Sequence, residues 1–86
     1  MRSDKTREAI CSRVSHILRD ERRKRGLTLT RIAERAGLSQ EMVSYVEREM
    51  RRPTLETLLR ITDALEIDLD EVIRRARKGA AKHQTE

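Results

Sequence analysis

Cys11 and His16 are the residue types from which a nucleophile and its base are built. Their five-residue spacing splays them apart on a helix, where facing neighbours lie three or four residues apart. One thiol cannot close an internal disulfide, and with His16 and the distant His83 it offers no ligand set for zinc. No Ser-His-Asp, Cys-His or paired-carboxylate set falls on a recognisable pocket-forming frame. Catalytic residues, a metal and a cofactor are therefore not expected, and Cys11 is expected to be a small buried hydrophobe. The chemistry that remains is hydrogen bonding and charge. Gln40, Glu41, Ser44 and Tyr45 are available on one side of a short helix whose other side carries Val43 and Val46, and Arg48, Arg51 and Arg52 follow closely.

The elements that must position these groups are all helical. Ile10, Val14, Ile17 and Leu18 form one stripe of a first helix from Lys5 or Thr6 to Arg25, stopped by Gly26. The run Arg22 to Arg25 reads as a cationic helix C-terminus that suits the dipole in preference to a patch facing an anionic partner. Thr28 caps a second helix with Leu29, Ile32, Ala33 and Ala36 inward, broken by Gly37. Ser39 caps the third, from Gln40 to about Arg48. Glu49 to Pro53 reads as a connection, because proline disfavours helix in the residue before it. Thr54 caps a fourth helix with Leu55, Leu58, Leu59, Thr62 and Leu65. Asp68 and Glu71 make a capping-box-like start to a fifth, striped by Leu69, Val72, Ile73 and Ala76. Residues 1-78 thus read as one domain, and Gly79 to Glu86 as a flexible C-terminal tail.

Length and composition agree. An 86-residue chain with 36% hydrophobic residues has room for one core, and with aromatics at 1% it lacks the strand-formers of an all-β fold. The net charge of +5 favours an anionic partner, and the bases concentrate early: residues 1-27 hold nine Lys or Arg against four acids. No apolar run approaches a membrane span and no secretory leader is visible, so a cytoplasmic location without membrane association is expected. The single Tyr45 provides no aromatic platform of the kind single-stranded RNA stacks on.

The two short helices around Ala36-Gly37-Leu38 have the helix-turn-helix arrangement, about residues 28-48, with small Ala33 permitting a close crossing and Gly37 free to take positive φ. The longer pattern sharpens this. Leu18-Arg19, Arg22, Gly26-Leu27-Thr28, Ile32-Ala33, Ala36-Gly37-Leu38-Ser39, Val43-Ser44, Val46-Glu47-Arg48, Pro53 to Leu58, Ile61 and Ala64-Leu65 together resemble the lambda-repressor-like, Cro/repressor or xenobiotic-response-element type of helix-turn-helix regulator. The resemblance spans roughly residues 13 to 73. It implies an all-α, compact five-helix domain whose third helix enters the DNA major groove.

Carried over by that resemblance, Gln40, Glu41, Ser44 and Tyr45 are the base readers. Gln pairs with adenine, Glu accepts from the cytosine amine, and Ser or Tyr bonds a phosphate or a base edge. Ser39, Arg48, Arg51 and Arg52 face phosphate, and Arg22 and Glu47 form a partly buried salt bridge that orients the recognition helix. Two positions depart from the pattern. Leu29 stands where the family commonly has Gln, which bonds phosphate and braces the first base reader. Glu49 stands where Gly is usual, so a differently shaped turn is expected there, and its acid opposes phosphate unless it points away.

The function implied is a sequence-specific double-stranded DNA-binding transcriptional regulator acting as a homodimer on a palindromic operator. The first helix begins about two turns earlier than the family pattern requires, so Ile10, Val14, Leu69, Val72, Ile73 and Ala76 are the dimer candidates. A second class within the resemblance is an antitoxin-type module that binds and neutralises a partner toxin and regulates its own synthesis.

Overall fold

Four side-chain oxygens set the starts of four helices. In the computed structural model, which describes the backbone of residues 3–84 and the side chains of residues 3–80, Ser3, Thr28, Ser39 and Thr54 each accept a hydrogen bond from the amide three residues on. Each satisfies an amide that the helix itself leaves unpaired. The helices are α1 (Asp4–Lys24), α2 (Leu29–Ala36), α3 (Gln40–Glu47), α4 (Leu55–Leu65) and α5 (Leu69–Gln84), with no strand among the described residues.

The chain turns at left-handed residues. Gly26 and Gly37 take φ of 67° and 68°, and each is followed by an amide that closes on the carbonyl five residues back, Leu27 to Arg22 and Leu38 to Ala33. Glu49 and Glu66 take the same region without being glycine, at 61° and 58°. The turn at Glu49 therefore keeps a glycine-like conformation, contrary to the differently shaped turn expected from its side chain. Its closure is equally regular: Glu49 N bonds Val46 O, and Met50 N bonds Tyr45 O at 2.8 Å.

The core is aliphatic. Leu18, Ile32, Val43, Val46, Leu65 and Val72 are fully buried, and α5 packs along α1 while α2 fits against α3 and α4. Arg60 on α4 donates to the carbonyl of Ala36 at 3.2 Å, satisfying an orphan acceptor at the end of α2. Thr62 is buried yet satisfied, donating to Leu58 O and Leu59 O.

Three expectations need correction. The helix does not stop before Gly79, because α5 continues to Gln84 and Ala80 is buried. Burial of Ala80 accompanies the helix past residue 79, where the guanidinium of Arg13 from α1 lies in the space that a Cβ would occupy. Glycine and alanine at 79 and 80 carry too little hydropathy to announce this contact in a sequence. Residues 85–86 of the supposed tail lie outside the described residues. Cys11 is exposed, not buried, because it faces the loop after α3 and not the core. Val14, Val72 and Ala76, proposed for a dimer contact, are buried inside the single chain, leaving Ile10, Leu69 and Ile73 only partly covered.

Candidate nucleic-acid interface

Helix α3 is only eight residues long, too short to be stable without support. Val43 and Val46, both wholly buried, fasten its inner side, and Ser39 accepts from Met42 N at 3.1 Å to fix its start. Its end is held by charge. Arg22 of α1 reaches Glu47 with two parallel bonds, Nε to Oε2 at 2.7 Å and Nη2 to Oε1 at 3.0 Å. The third guanidinium nitrogen donates to Leu27 O at 2.8 Å, so one arginine ties α1, the α1–α2 turn and α3 together. Both side chains are nearly buried, at 12% and 5% exposure, where bidentate geometry matters most.

The outward side of α3 is a polar row whose members hold one another. Gln40 Oε1 accepts from Thr30 Oγ1 at 3.0 Å, across the turn from α2. Tyr45 OH donates to Glu41 Oε2 at a long 3.5 Å, and Arg48 Nε donates to Ser44 Oγ at 3.1 Å. The guanidinium of Arg51 sits 5.3 Å from the centre of the Tyr45 ring, within cation–π range. Leu29, Gln40, Glu41, Ser44, Tyr45 and Arg48 line one open concavity. Gln40, Glu41, Arg48, Arg51 and Arg52 are exposed, while Ser44 and Tyr45 are half-buried. The structure thus collects the sequence-expected base readers on one accessible surface with Arg48 and Arg51 at its margin.

Arg52 is turned differently. Its Nη1 lies 3.3 Å from the Sγ of Cys11, against the early part of α1. Next to it, His16 Nε2 and Glu49 Oε2 meet at 3.0 Å, so the carboxylate of concern is engaged by an imidazole from α1. Sequence reasoning missed both contacts, and it missed Thr30. The brace that Leu29 lacks is supplied one residue later by a hydroxyl, and only the placement of the α2 start beside the α3 start could have signalled it.

The helix-turn-helix sequence profile matches residues 18–72, from late α1 into α5. The chain belongs to the Cro/C1-type helix-turn-helix family. Among curated relatives, the chain is 37% identical over 54 residues to the HTH-type transcriptional regulator SutR of Escherichia coli K12, covering 63% of this chain and 30% of SutR. It is 38% identical over 52 residues to the uncharacterized HTH-type transcriptional regulator y4dJ of Sinorhizobium fredii, covering 60% of this chain and 68% of that one. The chain therefore spans under a third of SutR. Two point variants of the restriction-modification controller protein C.Esp1396I share its fold. One superimposes with TM-score 0.78 at 27% identity over 87% of this chain and 97% of its own. The other gives 0.77 at 26% identity over 98% and 100%. No described helix is long and apolar enough to cross a membrane.

Proposed function

We propose that this regulator binds a specific double-stranded DNA operator with α3 in the major groove, as a homodimer on a palindromic site. The observation that carries the reading is the organised polar row on α3. Gln40, Glu41, Ser44 and Tyr45 project from a helix whose inner side and two ends are fixed by burial, a serine cap and the Arg22 bond. Side chains already held lose less freedom on meeting base edges. Arg48, Arg51 and Arg52, with the Ser39 hydroxyl at the start of the helix, would take the sugar-phosphate strands.

Dimerisation draws on a different face. Leu55 and Leu59 are 66% and 43% exposed, large values for leucine, and Leu59 joins Ile67, Leu69 and Ile73 around a groove between α4 and α5. A second copy covering this face would remove apolar surface from water. Regulation would follow by occluding or recruiting polymerase at the operator.

Selection of bound sequences from a random duplex library tests the reading. A palindromic consensus with two half-sites about one helical turn apart is the expected result. Recovery of no consensus would overturn it.

A further inference from the structure

The loop from Glu49 to Pro53 carries two of the three arginines assigned to phosphate, yet it starts with an acid held in a left-handed conformation. An L-residue adopts that region at a cost, and a carboxylate beside phosphate-facing arginines lowers their field. The backbone bonds onto Val46 O and Tyr45 O close the turn, but no α3 side chain bonds the Glu49 carboxylate. What meets the loop is α1, at two points five residues apart: His16 on the Glu49 carboxylate at 3.0 Å and Cys11 on the Arg52 guanidinium at 3.3 Å. The two residues that cannot cooperate as a nucleophile and base both serve the same loop.

We propose that His16 is a positioning residue for DNA binding: it draws the Glu49 carboxylate toward α1 and thereby fixes the direction in which Arg51 and Arg52 leave α3. The Cys11 contact seconds it by holding Arg52 on the same side. Arg51 then reaches back over Tyr45, which links the loop to the base-reading row. The distances define a chain of contacts from α1 through the loop to α3, next to the Arg22–Glu47 pair by which α1 holds the last residue of the same helix. His16 touches no base and no phosphate, and its effect passes through Glu49.

This inference rests on the proposed placement of Arg51 and Arg52 against phosphate, so its test carries one arm without DNA. With a mixed-sequence 24-base-pair duplex as the probe, His16→Ala is expected to weaken binding about tenfold and to lower the salt slope by about one, the signature of one phosphate no longer neutralised. His16→Gln keeps an N–H donor near the Nε2 position and is expected to restore most of the affinity. Glu49→Gly removes the acid and the backbone cost together. On that background His16→Ala should change nothing. An equal loss on both backgrounds, or no rescue by Gln, overturns the proposal. The arm without DNA follows the arginine Nε–Hε signals by NMR. His16→Ala is expected to raise the mobility of Arg51 and Arg52 while leaving Arg22 unchanged, and unchanged mobility at all three overturns the proposal even if the duplex fails to bind wild type.

Discussion

Thr30 Oγ1 and Gln40 Oε1 lie 3.0 Å apart across the helix-turn-helix, joining the first turn of α2 to the first residue of α3. The carbonyl oxygen of Gln40 has two lone pairs, and the hydroxyl occupies one. The second lone pair and the amide NH2 are left over, the acceptor and donor that adenine requires in the major groove. Thr30→Val is nearly isosteric and removes only the tether. Operator affinity is expected to fall by about 1 kcal/mol, the net value of a typical hydrogen bond, with relaxed preference at one position per half-site and an unchanged thermal midpoint. Repeating the sequence selection with the variant checks it. An unchanged consensus would separate Thr30 from base reading.

Arg22 and Glu47 invite a stability test. Glu47→Ala leaves a guanidinium at 12% exposure without its carboxylate, a loss on the order of 3 to 5 kcal/mol when a buried pair is broken from one side. Replacing both, Arg22→Ala with Glu47→Leu, removes the stranded charge and is expected to recover part of that loss. DNA binding should fall with stability in the single variant. Thermal midpoints of the three proteins decide the matter, and negligible shifts in the single variants would reduce the pair to surface decoration.

Glu21 supplies a pH dependence. It is buried on α1 between Arg25 and Arg75, with Arg75 Nη1 on its Oε2 at 3.1 Å and Arg25 bonded to Oε1. The hydrogen bond from Arg25 first, and that from Arg75 next, hold its carboxyl below the ordinary carboxylate range against the opposing effect of burial. A depressed folded pKa contributes stability above the unfolded value, and that contribution disappears as the pH falls through the folded one. The midpoint advantage of wild type over Glu21→Gln is therefore expected to be full above the ordinary glutamate range, about pH 4 to 5, and to shrink as the pH falls below it. An advantage that stays constant across this range would remove the charge from the explanation.

The sequence and the structure diverge where contacts depend on approach and not on pattern. Helical periodicity and the hydroxyl caps Thr28, Ser39 and Thr54 were readable because each is local, and the start of α3 at Gln40 follows directly from Ser39. Arg22 with Glu47 was legible only through resemblance, since 25 residues separate them. Thr30, His16 and Cys11 gave no signal, because each acts across a junction between helices. Gly79 misled for the opposite reason. A glycine read as the beginning of a tail is the residue over which Arg13 crosses.

Leu59 tests the proposed dimer face. It is 43% exposed beside Leu69 and Ile73, so an acidic substitution there spares the monomer core while opposing a second apolar surface. Leu59→Asp is expected to keep the helical content and melt within about 0.5 kcal/mol of wild type, as exposed substitutions do. Sedimentation should show a monomer where wild type is dimeric at tens of micromolar. A wild-type monomer at that concentration would discard the face.

Glu41 separates reading from positioning most sharply. It stands exposed in the first turn of α3, with the Tyr45 hydroxyl 3.5 Å from its carboxylate and Arg51 lying over that same ring. As a base reader it accepts from a cytosine amine, so Glu41→Ala should cost on the order of 1 to 3 kcal/mol on the selected operator. As an acid near phosphate it also repels all DNA, so the same substitution should strengthen binding to a scrambled duplex. Arg51→Ala and Arg52→Ala behave in the opposite manner, weakening both duplexes alike and lowering the salt slope by about one for each phosphate left without its arginine. Titrating wild type and the three variants against both duplexes at two salt concentrations distinguishes these roles. If Glu41→Ala raised affinity equally for operator and scrambled duplex, Glu41 would be a source of repulsion alone, and base reading would fall to Gln40, Ser44 and Tyr45.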